Sequence, residues 1–207
     1  NTRSFGHPRP FYPGTDDHAQ MLVAEHLNAR AKRKSPRYVI NVGDNFYWGG
    51  LEHRCGSPAD EIVVNVRKQI WPVFENVYKG PGMDGKPWLS VLGNHDYGGY
   101  MFTNAWDQQI AYTWYLKSGR WRMPGQYWSQ HVSYPDQDFT VDIFMLDNNY
   151  LDAKQPEKDP EHNMCSLKHN HPGAACSATG PASLADCRGW FKRLWKRTLP
   201  WFEARLK

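Results

Sequence analysis

Apolar residues recur at helical spacing near both ends of the chain. The first such segment predicts a helix that is capped by Thr15 or Asp16 and ended by the Ser35-Pro36 pair. Its predicted apolar face consists of four residues, namely Met21, Leu22, Ala24 and Leu27. The last segment, residues 187–207, predicts two helical pieces, with Pro200 starting the second because proline is tolerated in a first helical turn.

Two further helices are predicted between these ends. The pair Ser57-Pro58 has the pattern of a helix cap followed by proline, and it opens a helix that continues to Phe74. Pro72 should bend or split this helix, because proline cannot donate a backbone hydrogen bond. The other helix is predicted over approximately Thr103–Leu116.

Four short runs rich in β-branched and aromatic residues predict strands. They cover residues 37–42, 87–92, 126–134 and 138–147, and the turn sequence PDQD separates the last two. The first run is predicted to be buried, and the last is nearly all apolar, as expected of a central strand in a sheet. The order of strands and helices predicts an α/β sheet in one domain.

The first two predicted strands both end in glycine-rich turns that carry polar side chains. The sequence GDNFY occupies residues 43–47, and GNHD occupies residues 93–96. Because α/β sheets place their sites at the carboxyl ends of strands, we expect these polar side chains to converge on one pocket.

The two turns carry oxygen donors for hard metal ions and a candidate proton donor. The Asp44 carboxylate can bridge two ions, the Tyr47 phenolate favours oxidised iron, and Asn94 offers a neutral amide oxygen. His95 can bind metal or donate a proton, with Asp96 holding its ring. Taken alone, each residue is more often a turn former or a packing residue. Two such turns, each after a predicted strand, favour a site.

Composition excludes some classes of function. With 40% hydrophobic and 22% charged residues, the chain has the composition of an ordinary globular protein. A net charge of +4 without long basic runs argues against nucleic-acid binding, although it suits phosphorylated substrates. No apolar stretch reaches the length of a membrane span. The chain starts without Met or a signal-peptide pattern, which suggests a processed or incompletely represented protein.

The four cysteines predict disulfides. Three of them lie in a long polar loop at about residues 148–187, and the fourth is Cys55. Loops of this kind need crosslinks, so we expect two disulfides and an oxidising compartment. Three connectivities remain open, and free cysteines in a cytosolic protein are the alternative. A zinc site is less favoured, because the chain has no C-x₂₋₄-C pair.

Together, GDNFY and GNHD resemble the motifs of the calcineurin-like metallophosphoesterases, specifically those of the purple (tartrate-resistant type) acid phosphatases. The tyrosine three residues after the aspartate is the mark of the purple phosphatases. The resemblance continues through residues 120–134 and 139–149, so it covers most of the chain apart from the cysteine-rich loop.

This resemblance implies a four-layer α/β/β/α sandwich of the metallophosphoesterase type and a binuclear metal centre. Asp44 would bridge the two ions, Tyr47 would bind ferric iron, and Asn94 would bind a divalent ion, Fe, Zn or Mn. His95 would face the substrate phosphate, and Asp96 would orient it. The implied activity is that of an acid phosphatase that hydrolyses phosphate monoesters through a metal-bridging hydroxide.

The chain also departs from the family pattern. The family's D-x-G motif belongs on a strand before the first helix, where this sequence has a proline-rich loop instead. Its V-x-x-H and G-H-x-H motifs belong after the last helix, yet no histidine follows His171. His169 and His171 have H-x-H spacing but precede the last helix, so a solvated loop is favoured there. Residues 1–207 are therefore expected to be one incomplete metallophosphoesterase domain with a cysteine-rich loop insertion at about 148–187.

The preferred hypothesis is a secreted or lumenal enzyme from an extracellular, lysosomal or ER-derived compartment. Its substrate would be a phosphorylated small molecule or a phosphoprotein. The alternative is a phosphatase-like scaffold or binding module with little or no turnover, which would have a protein partner.

Overall fold

The computed structural model describes residues 19–58, 65–115, 119–176 and 178–207. Its longer α-helices are α1 (Ala19–Lys34), α2 (Asn65–Ile70), α4 (Trp106–Tyr115) and α5 (Leu184–Arg205), and a single helical turn forms α3 (Asn94–Tyr97). In the described part of the chain, no helix has both the length and the apolar character needed to cross a membrane.

The strands form two small sheets. Parallel strands β1 (Val39–Asn41), β2 (Trp88–Ser90) and β3 (Trp121–Arg122) lie side by side in that order. Antiparallel strands β4 (Trp128–Tyr134) and β5 (Phe139–Met145) form a hairpin around a single 3₁₀ turn. The prediction of an α/β arrangement holds, but β3 was not predicted.

Two of the strand environments differ from the predictions. In the part of the chain that the structure describes, β1 lies at the edge of its sheet and is only partly buried, with Ile40 49% exposed. Among the described strands, β5 pairs with β4 alone, and its Phe139 is exposed, so the expectation of a central strand is wrong. An apolar sequence does not distinguish a central strand from one that is covered on a single side by helix and sheet.

Helix α1 lies where it was predicted, but its buried face differs. Its backbone ends where Ser35 adopts a left-handed conformation with φ 46° and donates to the carbonyl of Ala31 over 2.7 Å. Ala24 and Ala31 are the buried positions, whereas Met21 and Leu22 are about half exposed, at 49% and 48%. The predicted caps Thr15 and Asp16 lie outside the described residues.

Proline has different effects in two helices. Pro72 lies in a π-helical turn, Trp71–Glu75, directly after α2, so the regular α-helix is interrupted at the proline. The start of that helix near Ser57-Pro58 borders residues outside the description. Pro200 lies within the continuous helix α5, and the prediction of two pieces is therefore wrong. An exposed Pro200 can be accommodated because packing of the opposite helix face holds α5 together.

The main core joins the helices to the three-stranded sheet. It includes Phe74 against Trp88, whose ring centroids are 5.1 Å apart, and Tyr97 against Phe191 at 4.9 Å. A smaller cluster, Leu89, Val91, Trp128 and Met145, packs the second sheet against the first. The Trp128 indole also donates to the carbonyl of Ser90 in β2 over 3.0 Å. The two sheets therefore contact each other directly.

Two disulfides crosslink the cysteine-rich loop, as predicted. Cys55 pairs with Cys176, and Cys165 pairs with Cys187. Buried Asn170 adds hydrogen bonds from its amide to the carbonyls of residues 100, 164 and 166. The loop is thus attached to the glycine-rich segment that follows α3.

Candidate active site

The two glycine-rich turns meet at one edge of the parallel sheet. Strands β1 and β2 are neighbours in register, with Val39 opposite Trp88 and Asn41 opposite Ser90. Both strands therefore end at the same edge of the sheet, so the turns that carry Asp44 and His95 lie side by side.

Glycine lets these two turns touch backbone to backbone. Gly43 has φ +103°, and a Cβ atom there would lie 2.8 Å from the nitrogen of Gly93. A Cβ atom on Gly93 would lie 2.2 Å from Oδ1 of Asp44 and 2.5 Å from its backbone nitrogen. Asp44 itself has φ 52°, a left-handed conformation that aspartate tolerates better than most residues. The G-D and G-N pairs are thus needed for the contact itself.

Asp44, Tyr47 and His95 come together in this contact. Oδ1 of Asp44 accepts a hydrogen bond of 3.2 Å from the backbone nitrogen of His95, and Oδ2 accepts one of 2.9 Å from the Tyr47 hydroxyl. The rings of Tyr47 and His95 lie 4.5 Å apart. Burial and the Asp44 carboxylate raise the pKa of Tyr47 to about 12, so its phenol is neutral in the absence of a cation.

The ring of His95 is oriented by Trp48 and not by Asp96. Its Nδ1 atom lies 2.5 Å from the carbonyl oxygen of Trp48, whereas Asp96 is buried beneath the turn and bonds to other groups. The expectation that Asp96 holds the imidazole is therefore wrong. Asp96 follows His95 directly in the helical turn α3. Consecutive side chains of a helix point in different directions, so that of Asp96 points into the protein and that of His95 points outward.

Asp96 instead links three elements of the site. Its carboxylate accepts hydrogen bonds from the backbone nitrogen of Gly93 at 2.8 Å, from the backbone and amide nitrogens of Asn45 at 2.9 Å each, and from Gln109 at 3.0 Å. Burial raises its pKa to about 7, while these hydrogen bonds act in the opposite direction. Asp96 thereby fixes the β1 turn, α3 and α4 relative to one another.

The remaining predicted ligand, Asn94, is half-buried in the first position of α3. Its side-chain amide has no hydrogen-bond partner in the described part of the chain. Tyr47 and Trp48 border the same edge and are 38% and 67% exposed. This edge therefore combines a carboxylate, a phenol, an unpaired amide and an imidazole with access to solvent.

Sequence reasoning missed three residues that position this site. Asn45 follows Asp44 directly and could have been suspected from the GDN sequence, and Trp48 lies in the same turn. Gln109 lies on α4 and is fully buried, and nothing in its sequence context signals a contact with Asp96. Its partner lies 13 residues away, and only the packing of α4 brings the two side chains together.

The histidines of the cysteine-rich loop do not form a second site. The rings of His169 and Tyr100 lie 4.9 Å apart, whereas His171 is exposed and accepts a bond from the nitrogen of Gly173. Across residues 19–58, 65–115, 119–176 and 178–207, no group of three or more His, Cys, Asp or Glu side chains is arranged to hold a metal ion. Asp44, Tyr47 and Asn94 provide suitable oxygen donors, but they amount to only part of a metal centre.

Comparison with known proteins identifies the family. Residues 12–192 match the family described as calcineurin-like phosphoesterase. Human tartrate-resistant acid phosphatase type 5 is 31% identical over 147 residues, which are 67% of this chain and 39% of that protein. Purple acid phosphatase 7 of Arabidopsis thaliana is 30% identical over 143 residues, which are 69% of this chain and 36% of that protein.

The chain spans less than two fifths of the length of these relatives. Among solved structures, GAP50, described as the anchor in the inner membrane complex of Plasmodium, is similar with a TM-score of 0.46. That similarity has 19% sequence identity and covers 73% of this chain and 44% of that chain. The predicted metallophosphoesterase fold class is confirmed: the chain belongs to the calcineurin-like phosphoesterase family and is homologous to the purple acid phosphatases.

Proposed function

We propose that this protein is a binuclear-metal acid phosphatase that hydrolyses phosphate monoesters. The observation that carries the proposal is the convergence of Asp44, Tyr47 and His95 from two neighbouring parallel strands. The homology to acid phosphatases supports phosphoester hydrolysis as the general reaction class.

Asp44, Tyr47 and Asn94 would hold the ions, iron together with a second Fe, Zn or Mn. The fit rests on donor chemistry, because a carboxylate and a phenol oxygen lie 2.9 Å apart, and Asn94 on the neighbouring turn has an amide without a partner in the described residues. When bound, paired ions supply the positive charge that stabilises a phosphoryl group during in-line displacement. Further donors must complete such a centre, since these three side chains include only one carboxylate.

Tyr47 carries a proton that a bound cation would have to displace. Its hydroxyl donates to Asp44, and its pKa of about 12 is high because both burial and the neighbouring carboxylate disfavour the phenolate. A cation held by Asp44 would reverse this effect, because positive charge favours the ionised form. Ion binding at the Asp44–Tyr47 pair would therefore release one proton.

His95 would hold and transfer a proton in this proposal. Its Nδ1 faces the Trp48 carbonyl, so the Nδ1–H tautomer is favoured and Nε2 remains for another partner. In the imidazolium form, Nε2–H can donate to a phosphate oxygen or to the leaving alcohol. Trp48 fixes the ring at the solvent-accessible edge, where a substrate can approach.

The proposed substrates are phosphorylated small molecules or phosphoproteins. The proposed location is secreted or lumenal, in an extracellular, lysosomal or ER-derived compartment. Two disulfides support an oxidising environment.

Variants of Tyr47 and His95 in the complete protein test this proposal because they should fail differently. Tyr47→Phe keeps the ring but removes the donor oxygen, so the purple iron–phenolate absorption should disappear while the fold is retained. His95→Ala leaves the three proposed ligands intact, so colour and metal content should persist while kcat for an aryl phosphate falls by about 10²–10⁴-fold. Tyr100→Phe, at an exposed tyrosine that follows α3, is the matched control.

The outcomes separate the alternatives. Loss of metal in the His95 variant would make His95 a ligand. A protein that is colourless and inactive with or without these substitutions would support the phosphatase-like scaffold instead.

A further inference from the structure

The exposed face of α5 carries a concentrated positive charge. The helix contains six bases and two acids, and its net charge of +4 equals that of the whole chain. The two acids lie near its ends, at Asp186 and Glu203. Every charged residue between positions 188 and 197 is therefore a base. Its bases are Arg188, Lys192, Arg193, Lys196 and Arg197.

Most of these bases have no acidic partner. Arg193 pairs with Asp186 over 2.6 Å, but no carboxylate in the described residues pairs with Arg188, Lys192, Lys196 or Arg197. Lys192, Lys196 and Arg197 are also exposed. Because like charges repel along a helix, this arrangement has a small cost that intrahelical pairing does not offset.

The helix dipole does not account for this charge. Bases favour the last turn of a helix, and α1 follows that rule with Lys32, Arg33 and Lys34. In α5 five of the six bases occupy the middle of a 22-residue helix, where the dipole has little effect. The charge therefore marks a surface feature of α5 that α1 lacks.

The geometry of the face limits what can bind it. The aromatic rings of α5 are turned toward the protein, with Trp195 stacked on Tyr150 at 4.9 Å and Phe202 against Phe144 at 5.1 Å. The basic face thus offers no ring on which a nucleic-acid base could stack. A row of flexible bases along one helix instead suits a flat and diffuse array of negative charge.

The face also lies away from the candidate active site. Phe191 of α5 packs on Tyr97 of α3, the turn that carries Asn94 and His95. At about 100° per residue, Lys192 and Lys196 point well away from Phe191. A molecule bound on the basic face would therefore not occupy the candidate active site.

We propose that the basic face of α5, formed by Arg188, Lys192, Lys196 and Arg197, docks the protein onto an anionic phospholipid surface. Binding is electrostatic and peripheral, because the apolar face of α5 is committed to the core and cannot insert. The docked protein presents the edge with Asp44 and His95 away from the lipid. This inference does not depend on the proposed phosphatase activity.

Vesicle co-sedimentation tests the proposal with two charge-matched variants. The α5 variant K192Q/K196Q/R197Q and the α1 variant K32Q/R33Q/K34Q each remove three positive charges from exposed positions. The unchanged chain should bind phosphatidylcholine vesicles that contain phosphatidylserine, and not vesicles of phosphatidylcholine alone. Binding should vanish near 1 M salt, where the screening length falls to about 3 Å. The α5 variant should bind about 100-fold more weakly, and the α1 variant should bind nearly as well as the unchanged chain.

Three results would overturn the inference. The first is equal weakening in both variants, which would indicate a general effect of net charge. The second is equal binding to both kinds of vesicle. The third is tight binding to soluble heparin without binding to phosphatidylserine vesicles, which would assign the face to a soluble polyanion. A charge-conserving variant, K192R/K196R/R197K, should retain binding to the phosphatidylserine vesicles. Retained binding would show that the α5 variant loses binding because it loses charge and not because its helix is disturbed.

Discussion

Replacing Gly93 by alanine should separate the two turns of the candidate site. Gly93 has φ −96°, which alanine adopts without strain, so backbone conformation does not oppose the change. The obstacle is contact, since the added Cβ would lie 2.2 Å from Oδ1 of Asp44 and 2.5 Å from its backbone nitrogen. Relief of both overlaps requires the turn after β1 to move by about 1 Å, because close-packed interiors leave no free space.

The magnitude follows from two opposing effects. Overpacking of this kind costs about 1–3 kcal/mol, and weakening the bond from the His95 nitrogen to the Asp44 carboxylate adds about 1 kcal/mol. Lower entropy of the unfolded chain returns about 0.4–1 kcal/mol for any Gly→Ala change. We therefore expect Gly93→Ala to lower the free energy of unfolding by about 1–3.6 kcal/mol.

Gly125→Ala is the control, because the nearest atom to its added Cβ, the carbonyl oxygen of Tyr127, is 3.6 Å away. Urea unfolding should show a lower midpoint with an unchanged m value for Gly93→Ala, and little change or slight stabilisation for Gly125→Ala. The backbone amide resonance of His95 should shift only in the Gly93 variant. If the two variants differ by less than about 0.5 kcal/mol and the His95 resonance is unmoved, the turns are not in contact as described.

Two further predictions concern stability. Burial raises the pKa of Asp147 to about 6 from an ordinary value of 3.8. The stability that protonated Asp147 gives the folded state is therefore fully present below pH 3.8 and is lost as the pH rises through 6. Between about pH 4 and 7 this removes about 3 kcal/mol from the free energy of unfolding. Asp147→Asn should flatten that part of the curve of unfolding free energy against pH. If the curves of the variant and the unchanged chain are parallel, the raised pKa does not belong to Asp147. Replacing Cys55 and Cys176 by alanine opens a loop with a sequence separation of 121 and should cost about 4–5 kcal/mol. Removing Cys165 and Cys187, 22 residues apart, should cost about 3 kcal/mol, and a reversed order in urea unfolding would refute the loop-length argument.

The features that the sequence predicted well are those with a local cause. The helix α1, the helix interruption at Pro72 and the two glycine-rich turns depend on residues close together in the chain, and their chemistry is visible in the sequence. The convergence of Asp44 and His95 could be anticipated because two strands with the same ending usually lie in one parallel sheet. The presence of two disulfides was predicted because three of the four cysteines lie in one long polar loop.

The features that were missed depend on tertiary packing. Strand β3 has only two residues, so no periodicity marks it. Helix α5 continues through Pro200 because packing on the opposite helix face outweighs the preference of proline for the first turn of a helix. Asp96 was assigned to His95 because they are adjacent in sequence, yet consecutive residues of a helix point in different directions. Which cysteine pairs with which depends on loop placement that no local pattern encodes.

The contact between the two turns also constrains the order in which the protein can fold. The bonds that join Asp44 to His95 and Asn45 to Asp96 each span 51 residues, with α2 and β2 between them. Closing such a distance costs entropy before any contact compensates for it, so pairing of β1 with β2 should be slow relative to helix formation. A peptide that contains either turn alone cannot reproduce the site. Partly folded chains with helices but unpaired strands should therefore lack it altogether, and assembly of this edge should mark a late step in folding.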